Sequence, residues 1–403
     1  MKERKGLLVA AGTGMMLLIG VLYAWSVFRL ELAAVFPGFT ASQLSLNFTL
    51  TMCSFCIGGF LGGRLTGSWG RPRLLRLAAV LLALGYGGAS FMGGLPEKTA
   101  LVVMYLCYGV LSGLGVGIGY NVILAGVTCW TQQRMGLVSG VLLMGFGLGS
   151  LVLGALAQKL APALTVFGVF RLYAAVLFAA LFAGSFLFGR TPEAAPTAEA
   201  EAEEGDRTTA QMLRSPFFLV YFLWNVICSS SGMLVINSAA AIAVAYGGAA
   251  SLGLLISLVG GLGRPVVGAM MDRVDRTVGL AIMNGLLLLA GLALVVTHRL
   301  GSPVLMMAGL LTVGVVYGGG VTTSAKVIRA VYGQKHYAVN FSVCNFVSIP
   351  ASFLGPLLSG LLQDKAGGSF GSTFRMLLIL SLVGGALLAV LAVLGHRENR
   401  PNR

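Results

Sequence analysis

The chain has 403 residues, 57% hydrophobic and only 10% charged, with a mean hydropathy of +0.90. That balance excludes a soluble globular domain. A net charge of +14 would point to nucleic acid in a soluble protein, but here the basic residues fall between apolar runs, so no nucleic-acid partner is expected.

A run of about 20 apolar residues crosses a bilayer as a helix. Twelve such spans are predicted, at 7–29, 44–65, 74–94, 100–125, 136–158, 168–189, 216–245, 251–271, 278–297, 303–325, 339–362 and 373–394. Met1 to Gly6 is basic and leads straight into the first run, which is longer than the apolar region of a secretory signal and lacks its small-residue cleavage site. Between the sixth and seventh spans lies a stretch dominated by Ala, Glu, Thr and Pro, with Glu193, Glu199, Glu201, Glu203, Glu204 and Asp206. Such a composition reads as a solvated linker. The expected fold class is an all-α membrane protein of twelve transmembrane helices in two six-helix halves. Residues 1–189 form the N-terminal half, 190–215 a cytoplasmic linker and 216–403 the C-terminal half.

Lys and Arg set the orientation. With both termini in the cytoplasm, 19 of the 27 basic residues fall on the cytoplasmic side, 7 on the other side and one, Arg264, within a span. This matches the positive-inside rule and predicts an integral plasma membrane protein, of the inner membrane in a bacterium. All thirteen Asp and Glu lie in loops, tails, the linker or at span ends, so a carboxylate proton relay has little to be built from.

The remaining chemistry is sparse. Cys53 and Cys56 form a C-x-x-C inside an apolar helix with no second pair, and the three His lie at span ends or in tails. No cofactor, metal or nucleophilic triad is expected, and with them no enzyme. Glycine is abundant, at 58 residues. Gly109, Gly113 and Gly117 recur every four residues in span 4, and Gly145 and Gly149 do so in span 5, rows that let helices pack closely.

Arg264 is the residue that demands an explanation. At ~1.5 Å per residue it lies ~11 Å inside the charged edge set by Asp272, in an apolar core ~30 Å thick. A permanent cation at that depth costs several kcal/mol unless compensated, so it reads as a functional site. Its planar guanidinium matches a carboxylate bidentately, and the missing partner is read as a small organic anion.

The two halves echo each other. Gly63-Arg64-Leu65-Thr66-Gly67-Ser68-Trp69-Gly70-Arg71-Pro72-Arg73 follows span 2, and Gly268-Ala269-Met270-Met271-Asp272-Arg273-Val274-Asp275-Arg276 follows span 8. Both resemble the G-x-L-x-D-R-x-G-R-R loop of the major facilitator superfamily. The first copy departs from it with Gly67 and Ser68 in place of Asp and Arg. The resemblance implies a gating role for Gly63, Gly70, Arg71, Asp272, Arg273 and Arg276, which would latch helices on the cytoplasmic side.

Further stretches are similar to one branch, the oxalate/formate antiporters and the related monocarboxylate carriers. They are Gly20 to Phe28, with Tyr23 and Trp25; Gly113 to Tyr120, Trp130, Arg134 to Gly140 and Met144 to Ser150; Gly263-Arg264-Pro265; and Tyr317 to Gly320. The resemblance implies that Arg264 is the carboxylate-binding cation. Tyr23, Trp25, Tyr120, Asn121, Trp224, Asn225, Tyr317, Asn345 and Ser348 would complete a cage of rings, hydroxyls and amides. Oxalate carriers of this family place a Lys in span 11, whereas 339–362 holds no Lys or Arg. The animal-type carriers place an Asp four residues before their Arg, whereas this chain has Gly260. The expectation is therefore a monomeric secondary active transporter of small organic anions. Its cargo is a monocarboxylate such as formate or lactate rather than oxalate, moved by alternating access and anion exchange. A proton-coupled monocarboxylate symporter is the alternative.

Overall fold

The computed structural model describes residues 2–129, 135–188, 206–333 and 335–398. Trp130, Arg134 and the acidic stretch 193–204 lie outside the described residues.

The apolar runs fold into helices long enough to span a membrane. They are α1 (Gly6–Val35), α2 (Ala41–Trp69), α3 (Arg71–Gly94) and α4 (Glu97–Thr128), followed by one segment of 51 residues, Val138–Phe188. At ~1.5 Å per residue that segment would reach ~77 Å, more than twice a bilayer core. It breaks at Thr165, which has φ 62° and ψ 164°, three residues after Pro162. The segment is therefore two spans, α5 (138–164) and α6 (166–188). Then come α7 (Pro216–Ala245), α8 (Ala250–Arg273), α9 (Arg276–Leu300), α10 (Pro303–Tyr332), α11 (Val339–Lys365) and α12 (Gly371–Leu394). Among the described residues the molecule is all-α, with twelve transmembrane helices.

Local chemistry explains the helix ends. Thr40 and Gln43 form a capping box at the start of α2. Gly70, at φ 76°, lets the chain turn from α2 into α3 where a side chain would be strained. Asp275 caps α9 by accepting from the Thr277 backbone N–H at 2.8 Å. Helix α11 is interrupted: helical turns at Tyr337–Asn345 and Ser348–Ser352 flank a break at 346–347. Pro350 accounts for it, since its ring lacks the N–H that would bond the Phe346 carbonyl. Pro356 has the same effect further on, where Phe353–Leu357 widens into a π-helical stretch.

The chain forms two compact units. The first comprises Met1–Ala195 with Ile236–Gly261, and the second comprises Pro196–Val235 with Leu262–Arg403. The returning segment 236–261 therefore belongs with the N-terminal residues, although it follows the linker in sequence. It contains the end of α7 and the start of α8. The boundary in α8, between Gly261 and Leu262, falls where Pro265 leaves the Gly261 carbonyl without its helical donor.

Glycine rows make the close helix contacts of the first unit. A Cβ on Gly113 would stand 2.6 Å from the Thr51 carbonyl oxygen, and one on Gly117 would stand 2.7 Å from the Gly59 nitrogen, so α4 lies backbone to backbone on α2. Gly149 does the same on α1, with a Cβ 2.7 Å from the Gly20 Cα. Between lipid-like environments such contacts gain through packing, not through water release.

The second unit holds a correction to the linker. Residues 206–215, expected to be solvated, are folded. Thr208 and Gln211 cap a short helix, Thr209–Arg214. The Thr209 hydroxyl donates to Asn340 Oδ1 at 2.7 Å, and the Asn340 amide donates to the Arg207 carbonyl at 3.1 Å. Capping and these side-chain bonds outweigh the polar composition.

Candidate substrate-binding site

In the second unit, Arg264 stands where α8 crosses α10. A Cβ on the preceding Gly263 would lie 3.0 Å from the Val315 carbonyl oxygen, and Val267 Cγ2 would lie 2.5 Å from a Cβ on Gly319. Leu262 and Val266 face outward at 48% and 64% exposure, while Val267 and Met271 are buried. Arg264 lies between these faces, half-buried, with its Nε atom buried. One turn on, a Cβ at Gly268 would meet nothing within 4 Å, and the same holds for Gly320 on α10. Residues four apart share a helix face, so Gly268 lies on the Arg264 face of α8.

The other candidates of this unit divide. Tyr317 lies with its ring against Gly232 of α7. Asn225 is buried and donates to Ser324 Oγ at 3.0 Å, a hydroxyl that also receives the Tyr221 hydroxyl at 3.0 Å. Trp224 faces elsewhere: its indole N–H donates to Asn284 Oδ1 at 3.2 Å, and Asn284 donates to the Ser381 carbonyl at 3.1 Å. Consecutive helical residues point about 100° apart, so Trp224 and Asn225 reach different neighbours. Asn345 is exposed beside the break in α11, and Ser348 is half-buried just after it. Cys344, by contrast, is buried, with its Sγ 3.8 Å from the Asn225 amide nitrogen.

In the first unit, Tyr23 and Tyr120 meet at one ring. Phe146 of α5 stands edge-on to both, at 5.3 Å and 5.0 Å between centroids, and Phe55 of α2 completes the cluster. Phe146 is a residue the sequence reading passed over, although it sits between Gly145 and Gly147 in a quoted motif. Both tyrosines are half-buried, whereas Phe146 is 1% exposed. Asn121 turns toward α2, with its Oδ1 3.5 Å from a Cβ on Gly63.

Trp25 is fully buried, tilted against the Tyr108 ring at 4.9 Å between centroids, and its indole N–H donates to Asn237 Oδ1 at 3.1 Å. A five-residue 3-10 turn, Gly20–Ala24, separates it from the regular part of α1 that precedes Tyr23. Arg29, one of the seven basic residues counted on the side opposite the termini, is only 4% exposed, within α1, which runs on to Val35. Arg264 is thus not the sole cation withdrawn from water.

The repeated loops differ in chemistry. In the second, Asp272 pairs with Lys326 of α10 at 3.0 Å, and the Arg276 guanidinium lies 4.9 Å from the Phe217 ring centre. Arg273 is exposed. In the first, Arg71 is buried, with its Nη2 3.4 Å from Cys129 Sγ, and Gly67 faces open space where the motif has an acid.

The chain is similar to known proteins over most of its length. It is 26% identical over 330 residues to the uncharacterized MFS-type transporter YhjX of Escherichia coli, covering 81% of this chain and 80% of that one. It is 25% identical over 394 residues to the oxalate:formate antiporter of Oxalobacter formigenes, covering 94% and 89%. Among solved structures it resembles a bacterial homolog of the human lysosomal transporter Spinster, captured inward-facing and unoccupied. That match has a TM-score of 0.74 and 14% identity over the whole of both chains, and it speaks to the fold alone. A sequence model of the Major Facilitator Superfamily matches residues 6–349. With its twelve spans, its repeated loop and this match, the chain belongs to the Major Facilitator Superfamily of membrane transporters.

Proposed function

We propose that this transporter moves small organic anions by alternating access and exchanges one carboxylate for another, with a monocarboxylate such as formate or lactate as cargo. The observation that carries the reading is Arg264: a permanent cation on a membrane helix, at a close helix crossing, with open room one turn away. The likeness to an oxalate:formate antiporter supports carboxylate as the class. The lack of Lys or Arg across 339–362 supports one carboxylate over two, because a dicarboxylate would leave its second charge without a cation in that span.

Exchange follows from the charge. A guanidinium stays protonated at ordinary pH. In a closing, dry cavity a guanidinium is better compensated with a bound anion than without one. The loaded carrier therefore crosses more easily than the empty one. In this reading residues 1–189 and 216–403 are the two moving halves of a monomer, both termini face the cytoplasm of a bacterial inner membrane, and the loops at Gly63–Arg71 and Asp272–Arg276 gate the cytoplasmic side.

The test is uptake of labelled formate or lactate into proteoliposomes with and without internal carboxylate. Internal anion should accelerate uptake severalfold. Rapid uptake driven by a pH gradient into anion-free vesicles would sink exchange and favour proton symport.

A further inference from the structure

Side chains of α1 and α2 converge on two consecutive residues of α7. The Trp25 indole N–H donates to Asn237 Oδ1 at 3.1 Å. Arg29 Nη1 donates to Ser238 Oγ at 2.6 Å and to the Asn237 backbone carbonyl at 3.4 Å. The Asn237 amide donates to Ser45 Oγ at 3.0 Å. These five residues are at most 4% exposed. Trp25 and Arg29 are four apart and so share a face of α1. Arg29 is 23 residues beyond Gly6, about 35 Å at ~1.5 Å per residue, which puts it near the membrane face opposite the basic N-terminus.

Arg29 and Trp25 donate here to a side-chain amide oxygen, a backbone carbonyl and a hydroxyl, all uncharged, while the Ser45 hydroxyl accepts from the Asn237 amide. A carboxylate presents two oxygens that each accept more than one bond, and its bonds to a guanidinium are charge-assisted and about twice as strong. Two further contacts of the 236–261 segment fall at glycines. A Cβ on Gly147 would lie 3.2 Å from the Gly261 Cα, and Leu254 fills the space over Gly154.

We propose that Trp25, Arg29 and Ser45 form an extracytoplasmic carboxylate-capture site, closed in this conformation by Asn237 and Ser238, whose oxygens stand on Trp25 and Arg29 where carboxylate oxygens would bind. When residues 236–238 move off, incoming anion takes their place. The site rests on the carboxylate reading above, and it lies apart in the chain from Arg264.

Sided transport tests it. Right-side-out vesicles containing the full chain give the outer KM for labelled formate, and inside-out vesicles give the inner KM. Arg29→Gln should raise the outer KM by roughly tenfold or more, as expected for one lost charge-assisted bond. Asn237→Ala removes a competing oxygen and should lower the outer KM. A mere latch predicts that both substitutions lower it, because both free the closed state, and that result overturns the site. An unchanged outer KM in Arg29→Gln, or inner and outer KM raised equally, also overturns it. Should Arg29→Gln fail to fold, Ser45→Cys is read instead, against wild type as background. A membrane-impermeant maleimide should label it from outside, and external formate should protect it. Absence of protection overturns the site. Wild-type vesicles that take up no carboxylate overturn the substrate reading and this site together, whereas normal wild-type uptake with any of the contrary results overturns the site alone.

Discussion

The Gly263 backbone of α8 runs against Val315 of α10 so closely that an added Cβ would stand 3.0 Å from the Val315 carbonyl oxygen and 3.1 Å from its Cα. Backbone cannot yield as a flexible side chain can. Gly263→Val should therefore push the helices apart, lower stability by about 1–3 kcal/mol and misplace Arg264. Gly268→Ala makes the contrast, since nothing lies within 4 Å of its Cβ position. It should be neutral, or stabilise α8 by up to about 1 kcal/mol. Thermal melts of the two purified variants in detergent check both.

The α2–α4 contact makes a harder demand. Gly117 faces the Phe55 carbonyl and the Gly59 nitrogen, and Gly113 faces the Thr51 carbonyl. Gly117→Leu should fail by lost stability, not by altered specificity. The measurement is the monodisperse yield on size exclusion, which should fall sharply, while any surviving folded fraction keeps its order of preference among carboxylates.

How much of this was legible in the sequence depends on the range of the interaction. Apolar runs report burial in lipid residue by residue, so the twelve spans, including the pair hidden in one 51-residue helix, follow from hydropathy and length. The glycine rows are local patterns, and each finds a neighbouring backbone. The partners of Trp25 and Arg29 lie 212 and 209 residues away, and nothing near α1 signals them. Arg29 looked like an ordinary edge cation because hydropathy sees its charge, not the Ser238 hydroxyl that receives it. Phe146 was masked by the glycines beside it, which carry the motif while the ring joins Tyr23 and Tyr120. The break in α11 was readable from Pro350, but which side chain faces inward there, Cys344 and not Asn345, depends on the helix's rotation against Asn225.

The Asp272–Lys326 pair joins α8 to α10 at 3.0 Å with the carboxylate side chain 78% exposed. Exposed pairs contribute about 0–1 kcal/mol and are screened by salt. Lys326→Met should thus barely move the melting temperature. If the loop gates the cytoplasmic side, it should nonetheless change the exchange rate, and raising ionic strength on the wild type should mimic it in part. An unaltered rate at all salt concentrations would remove this pair from the gate.

Asp275 links pH to helix α9. The hydrogen bond from the Thr277 backbone N–H, opposed by slight burial and aided by Arg276, holds its carboxyl below the usual carboxylate range. A lowered folded-state value means the contribution is present above the unfolded value, near pH 4, and is lost as pH falls through the folded one. Asp275→Ala should cost roughly 0.5–1 kcal/mol at neutral pH, as a lost cap does. Asp275→Asn should keep most of that and flatten the loss on acidification. Melts between pH 3 and 7, a range set by that window, would show it.

The central claim is that Arg264 holds the carboxylate. The most direct measurement is equilibrium binding of labelled formate and lactate to purified, monodisperse protein, wild type beside Arg264→Ala. Removing a charge-assisted, bidentate partner should weaken binding by roughly a hundredfold or more, beyond detection for a small ligand, while the melting temperature without ligand stays close to wild type. Wild-type affinity retained in folded Arg264→Ala would contradict the account.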